Sequence, residues 1–229
     1  LGGDWFPSHE NILVEDYVDG MGRENIIFHF LVGRKANDAL SRAYGLKLMK
    51  KIRRNVAVSI TDNGFVLTLP EGVRIDPREL LPMVNSENIE GLVREAVEKT
   101  ELMVRRFRHC AARALMILRD YKGHEISVNK QQLNAQTLLE VCRDLPGFPV
   151  VEETFREILE DDMDLENVKK VLRDIERGEK RFILLPRCDV PSPFAHNLVL
   201  VGMSDVVLME SRREVLERFH RMVMERIGG

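Results

Sequence analysis

Cysteine is scarce in this chain. There are three, Cys110, Cys142 and Cys188, far apart in sequence. The number is odd and no Cys-x-x-Cys occurs, which supports neither a disulfide framework nor a zinc knuckle. A reducing, cytoplasmic compartment fits that usage best. Basic excess is missing as well. The formal net charge is −3, so any surface for nucleic acid has to come from local segregation of charge. No apolar run approaches the roughly 18 to 20 residues of a membrane span, and no signal peptide is visible. The sequence has no G-x-x-x-x-G-K-[ST], which excludes a stand-alone ATPase of the P-loop kind. It has no H-E-x-x-H, G-x-S-x-G or EF-hand loop. Its histidines are scattered without ligand spacing, and no metal site is expected from them. It starts Leu1-Gly2-Gly3, without methionine, as a piece of a longer parent would.

What remains is ordinary globular material: 229 residues, 44% hydrophobic and 31% charged, enough for one large domain or two small ones. Residues 11–32 read as two strands, NILVEDYV and ENIIFHFLV. Residues 34–54 read as a helix with Leu40, Tyr44, Leu48 and Ile52 in one stripe. A hairpin follows, VAVSI-TDNG-FVLTL, with Asn63-Gly64 expected at the positive-φ positions of its turn. Asp76-Pro77-Arg78-Glu79 is a helix start. The apolar face Leu92, Val93, Ala96, Met103, Phe107, Cys110, Ala114, Ile117/Leu118 predicts one long helix over 87–120. Unbroken, it would be roughly 50 Å long. Further helices are predicted over 129–145, 150–161 and 165–177, the last ended by Gly178. FILLP is a short strand at 182–186. FAHNLVLVG is either a helix capped by Ser192 or a strand, and periodicity leaves both open. A last helix, 211–227, opens with the capping box Ser211 and Glu214.

The expected fold is α+β: an antiparallel sheet or small β-barrel built from N- and C-terminal segments, with a long amphipathic helix and several further helices. The organisation reads as a single module over 1–229, strand-rich in 1–70, helical in 76–178 and mixed in 182–229.

The charges are separated along the chain. Residues 34–54 carry eight Lys/Arg against Asp38 alone. Lys35, Arg42, Lys50 and Arg53 lie opposite the apolar stripe. In the long helical stretch Arg94, Arg105, Arg108 and Arg119 lie opposite the apolar face, flanked by Arg106, His109 and Arg113, with Lys122 after them. Residues 150–180 carry eleven acids against six bases. Two basic helix faces can line a groove along a phosphate backbone, releasing counterions at each contact. Equally, they can pair with the acidic helices in a salt-bridge belt, and these residues alone do not choose. Glu160-Asp161-Asp162-Met163-Asp164 can hold Mg²⁺ beside a phosphate, but a solvated helix end with Asp164 capping the next helix is the simpler reading. Gln131-Gln132 can position base edges and Trp5-Phe6 can stack on bases. The plainer alternatives are a helix N-terminus and a hydrophobic staple.

Several segments then carry a family resemblance: GRKANDALSRA (33–43), ITDNGFVL (60–67), FRHCAARALMILRDYKG (107–123), NKQQLNAQTLLEV (129–141), FPVVEETFREILEDDMDLENV (148–168) and PSPFAHNLV (191–199). In this order they resemble the helicase-associated region of the large helicase-related (Lhr-type) superfamily 2 helicases, the archaeal members above all. The resemblance covers nearly the whole chain. It implies a parent in which two RecA-like motor domains, which use ATP and Mg²⁺, precede a winged helix and this module. The module then helps build the channel of the tracking single strand and has no ATPase activity or cofactor of its own. Implied partners are single-stranded or forked DNA, or RNA, and the motor and winged-helix domains of the same parent, in a DNA-repair setting without a membrane. Candidate contacts are Arg34, Lys35, Arg42, Lys50, Arg53, Arg105, Arg108, Arg113, Lys122, Gln131 and Gln132. Glu153 and Arg156 are assigned to ion pairing or capping. The Pro191-Ser192-Pro193-Phe194 turn is either a strand guide or a chain reversal locked by prolines. Two other functions stay open: a protein-interaction scaffold docking the motor or a repair partner, and a glycosylase-like base-processing domain, which would need a carboxylate beside an aromatic in a pocket.

Overall fold

The structure is a computed structural model and describes residues 6–203 together with His220, Arg221 and Met224. The capping box Ser211/Glu214 and Trp5 lie outside the described residues. The chain divides into two compact units. One is built from the chain up to Leu92 and again from Leu165 onward; the other is Val93–Asp164.

The first unit is a five-stranded sheet of order β3-β4-β2-β1-β7. The strands are β1 (Asn11–Val18), β2 (Glu24–His29), β3 (Ala57–Thr61), β4 (Gly64–Thr68) and β7 (Arg181–Leu184). Neighbours are antiparallel except β1 and β7, which run parallel with Ile12 opposite Phe182. β2 is buried along its whole length. Its near-continuous apolar reading, without alternation, follows from cover on both faces. On one face Val14, Phe28 and Phe65 share a register, and Phe28 and Phe65 meet α1 (Arg34–Ile52). There the Tyr44 ring lies 5.0 Å from Phe28, and Phe28 lies 4.8 Å from Phe65. On the other face Tyr17, Ile27 and Val66 form a cluster with Ala195, Leu198 and Val199 at the start of α8 (His196–Met203). The helical alternative for FAHNLVLVG is thus the observed one. With helices over both faces the sheet buries itself without curling, and it stays open; the barrel alternative does not hold.

α1 starts at Gly33, and buried Asn37 reaches the carbonyls of Phe30, Thr61 and Asp62 at 3.0–3.1 Å. This one amide fastens the helix to the β3–β4 hairpin. The hairpin turn differs from expectation. Asp62 and Asn63 are its two loop residues, and neither has positive φ. Gly64 is needed for another reason: a Cβ there would stand 2.0 Å from the Phe28 carbonyl oxygen. α2 (Pro77–Leu80) has the expected cap, the Asp76 side chain accepting from the Arg78 N–H at 2.9 Å. α7 (Leu165–Glu176) ends at Gly178, φ 76.

The second unit is helical, with a small hairpin, β5 (Asp120–Tyr121) and β6 (His124–Glu125). The long helix predicted over 87–120 is broken into α3 (Ile89–Val97) and α4 (Glu101–Arg113). Thr100 caps α4, its hydroxyl donating to the Val97 carbonyl and accepting from the Met103 N–H. α4 stops where Leu115 turns left-handed at φ 58 and Met116 bonds back to Ala111. α5 (Val128–Arg143) and α6 (Pro149–Glu157) pack on α4, and α6 runs into a π-helical turn, Ile158–Asp162. Asp164 sits at φ 47, not in the extended backbone of an N-cap.

Candidate nucleic-acid interface

The candidate cations of α1 belong to the first unit. Arg34 is exposed, and its guanidinium donates to the Ile60 carbonyl at 3.0 Å. Arg42 pairs with Asp38 at 2.6 Å, one turn before it. Lys35, Lys50 and Arg53 are exposed. Arg53 closes the helix in the left-handed region at φ 54. Lys50 and Lys51 occupy the last turn, where their charge offsets the carbonyl end of the helix dipole. Part of this basic face therefore serves the helix itself.

The second unit sorts its arginines into two groups. Arg106 reaches Asp162 and, at 3.4 Å, Glu157, while Arg113 also pairs with Glu157. Burial works against the Arg106 charge, but the two carboxylates outweigh it and raise its pKa. Arg94 pairs with Glu152 at 2.7 Å and lies 4.2 Å over the Phe155 ring. Arg156 binds Glu153 and Glu160 at 2.6 and 2.7 Å, the ion pairing expected of it. Arg105, Arg108 and Arg119, by contrast, have no acidic partner among the described residues. His109 registers the positive charge around it, paired and unpaired. Its pKa is lowered, first by burial and then by Arg108, Arg106, Arg119 and Arg113. The salt-bridge belt thus takes Arg94, Arg106 and Arg113, which hold α6 and its π turn, whereas Arg105, Arg108 and Arg119 have no part in it.

Lys122 and Gly123 form the hairpin tip at φ 51 and 81, and Lys122 is exposed. Gln131 donates to the Ile126 carbonyl at 2.6 Å and secures the start of α5; Gln132 beside it is half-buried. The acidic run 160–164 is drawn to arginines through Glu160 and Asp162, and no cluster fit for a metal ion occurs among the described residues. No helix of the described residues is long and apolar enough to cross a membrane.

Two polar clusters of the first unit were not singled out from sequence. In the first, buried Glu15 accepts from Ser192 (Oγ at 2.5 Å, N–H at 2.9 Å) and lies 2.6 Å from His29 Nε2. Ser192 therefore ties the proline turn to the sheet instead of capping α8. Phe6 packs edge-on against Phe194 of the same turn, 5.7 Å between ring centres. The second is a pocket of about 760 Å³ with Asp16 and Glu24 at the sheet and Arg74, Arg78 and Arg187 around them. It has carboxylates, but no aromatic ring among its lining residues, so it lacks the aromatic wall of the glycosylase alternative. The signal for both clusters was available: Glu15-Asp16 interrupts a strand otherwise buried on both faces, where an acid needs partners.

The family model described as DEAD/H associated matches residues 6–195. The ATP-dependent helicase Lhr-Core of Saccharolobus solfataricus is 44% identical over 221 residues, 96% of this chain and 25% of that protein. The Lhr helicase/uracil glycosylase of Escherichia coli is 31% identical over 97% of this chain and 15% of its own length. Among solved structures, the Mycobacterium smegmatis helicase Lhr bound to ssDNA and AMP-PNP superposes with a TM-score of 0.72 at 30% identity, covering 84% of this chain and 24% of that one. The chain spans about a quarter of the length of its archaeal relative.

Proposed function

The chain belongs to the DEAD/H associated family of Lhr-type helicase regions, and on that premise we propose that it is the accessory nucleic-acid-binding module of an ATP-dependent helicase. In this reading it lies along the tracking single strand while ATP and Mg²⁺ act in motor domains elsewhere in the parent. The observation that carries it is the Arg105/Arg108/Arg119 set, without a carboxylate partner among the described residues, in a unit where Arg94, Arg106, Arg113 and Arg156 find carboxylates and Arg143 donates to the Glu98 backbone carbonyl. Phosphates supply the missing negative charge, and an arginine can hold one through two N–H groups. Exposed Lys122 at the hairpin tip is a further candidate, on its position alone. Lys35, Lys50 and Arg53 on α1 are a second candidate stretch, and Gln131 and Gln132 are weaker candidates because Gln131 is already engaged.

The test is a titration of a fluorescent single strand at three salt concentrations. With about four phosphates neutralised, log K should fall with log salt at a slope near −3. The double variant R105E/R108E should bind weakly and lose the steep slope with its circular dichroism unchanged. Arg113 is best changed separately, because R113E puts a carboxylate against Glu157 and confounds folding with binding. Equal binding by the double variant would remove the arginines from the strand path.

One observation favours a second reading. Leu115, Leu133 and Val141 of the second unit are 83%, 65% and 61% exposed, and apolar side chains left in water mark docking surfaces. Association with other domains of the parent that survives high salt would support that role.

A further inference from the structure

The pocket of the first unit has features that ion pairing alone does not explain. It opens where β1 and β2 meet the last turn of α1, the start of α2 and the loop after β7. Its 760 Å³ falls in the range of small-molecule sites. Glu24 is buried at its base. One of its oxygens accepts the Ile75 N–H at 3.1 Å, and the other lies 3.2 Å from Arg187 Nη2 in a geometry that makes an ion pair without a hydrogen bond. Asp16 is worse served. Its Oδ1 is sealed from solvent without a donor, and Oδ2 has Arg187 Nε at 3.9 Å, beyond hydrogen-bond length. One guanidinium is shared by two carboxylates and satisfies neither fully.

The outer part of the pocket has the opposite character. Lys51 is taken by Glu79, and the Asp76 carboxylate caps the Arg78 N–H. Arg74 and Arg78 are exposed residues and have no ion pair among the described residues. Ile52, Leu185 and Pro186 supply aliphatic wall between these groups. The ligand this arrangement fits has N–H donors at one end, a flat apolar body and an anion at the other end.

We propose that this pocket takes one nucleotide, the N–H edge of its base turned to Asp16 and its phosphate held by Arg74 and Arg78. Guanine suits an acceptor-only carboxylate best, since its N1–H and N2–H point the same way and both can converge on Oδ2, Oδ1 being closed to a ligand as it is to solvent. The ligand class rests on the nucleic-acid reading above. The site itself is separate from the arginines of α4, and a free mononucleotide tests it without a strand.

The probe is dGMP, titrated into the isotope-labelled chain and followed by amide shifts, with dTMP and inorganic phosphate in parallel. The expected result is saturable binding of dGMP, with the Asp16 and Ile75 amides moving, tighter than dTMP or phosphate. D16N should weaken dGMP about tenfold or more and leave phosphate unchanged. R74A/R78A should weaken all three. D16N removes a charge while keeping the shape, so its urea midpoint should not fall. Binding of dGMP no tighter than phosphate, unchanged affinity in D16N, or no binding by the folded chain would each overturn the site. Strand binding scored in R105E/R108E would stand or fall independently.

Discussion

Asp16 and Glu15 are neighbours in one strand with opposite pH behaviour. Burial and then Glu24 push the Asp16 pKa up to about 6, against the pull of Arg187. Between its ordinary value of 3.8 and about 6 the folded chain holds a proton that the unfolded chain has released. Stability therefore falls as pH rises through this window, and the cost is complete above it. D16N should raise stability at pH 7.5 by on the order of 1–3 kcal/mol and leave it unchanged near pH 3.5; urea midpoints at the two pH values check this. A variant that gains stability and loses dGMP would separate the residue's ligand role from any folding role. At Glu15, burial pushes upward, but His29 and Ser192 outweigh it and the pKa is lowered. That stabilisation is present above the ordinary 4.5 and disappears as pH falls through the lower folded value. S192A removes the hydroxyl bond and leaves the backbone one, so it should cost about 1.5–3 kcal/mol at pH 7. The loss should shrink in acid, and a flat pH profile would show that the hydroxyl acts only by packing.

At the scale of elements, α4 and α6 are joined through Glu157, a buried carboxylate with arginines on both oxygens. E157A would leave Arg106 and Arg113 without it, and the second unit should lose about 1–3 kcal/mol, discounted because Arg113 is half-exposed. Proteolysis within 93–164 would detect that loss ahead of any change in the sheet. His109 gives a gentler test of the same helix. Its imidazole titration, followed by NMR, should lie below the ordinary 6.5 and move upward when a single strand brings phosphates to Arg105 and Arg108. No movement on saturation would place the strand elsewhere. The elements themselves were largely legible. β-branched and apolar runs located β1 to β4, the Leu40/Tyr44/Leu48 stripe located α1, and the Pro146-Gly147 stop located α5. The break in the long helix was not legible from periodicity, since α3 and α4 continue the same apolar spacing; Thr100 followed by Glu101 was the only cue. The end of α4 carried no cue at all, because Leu115 occupies the left-handed position that glycine usually marks. Charge segregation was legible, but which arginines meet Glu157 or Asp162 depends on packing between helices distant in sequence.

For the molecule as a whole, composition and strand spacing gave the α+β class and a sheet drawing on both ends of the chain. They did not give the division into two units. The second unit interrupts the first at Leu92 and Leu165, and the strands on either side of it are not consecutive. Across that interruption Lys169 pairs with Glu90 at 2.9 Å, and Ser86 bonds Glu176 through both N–H and hydroxyl at 2.7 Å. The entry and exit of the intervening segment are thus pinned together within the first unit. Replacing 93–164 with a short Gly/Ser linker should leave the sheet's amide-exchange protection in place, and general loss of protection would show that the second unit is required for it. The position of β7 has a further consequence during synthesis. On the ribosome β1 can pair with β2 at once, but its other edge has no neighbour until Arg181–Leu184 has been translated, after the entire intervening segment. A nascent or prematurely terminated chain therefore presents a bare, apolar strand edge of the sort that recruits chaperones or aggregates. A stop codon ahead of Arg181 should be far more damaging than its distance from the α4 arginines suggests.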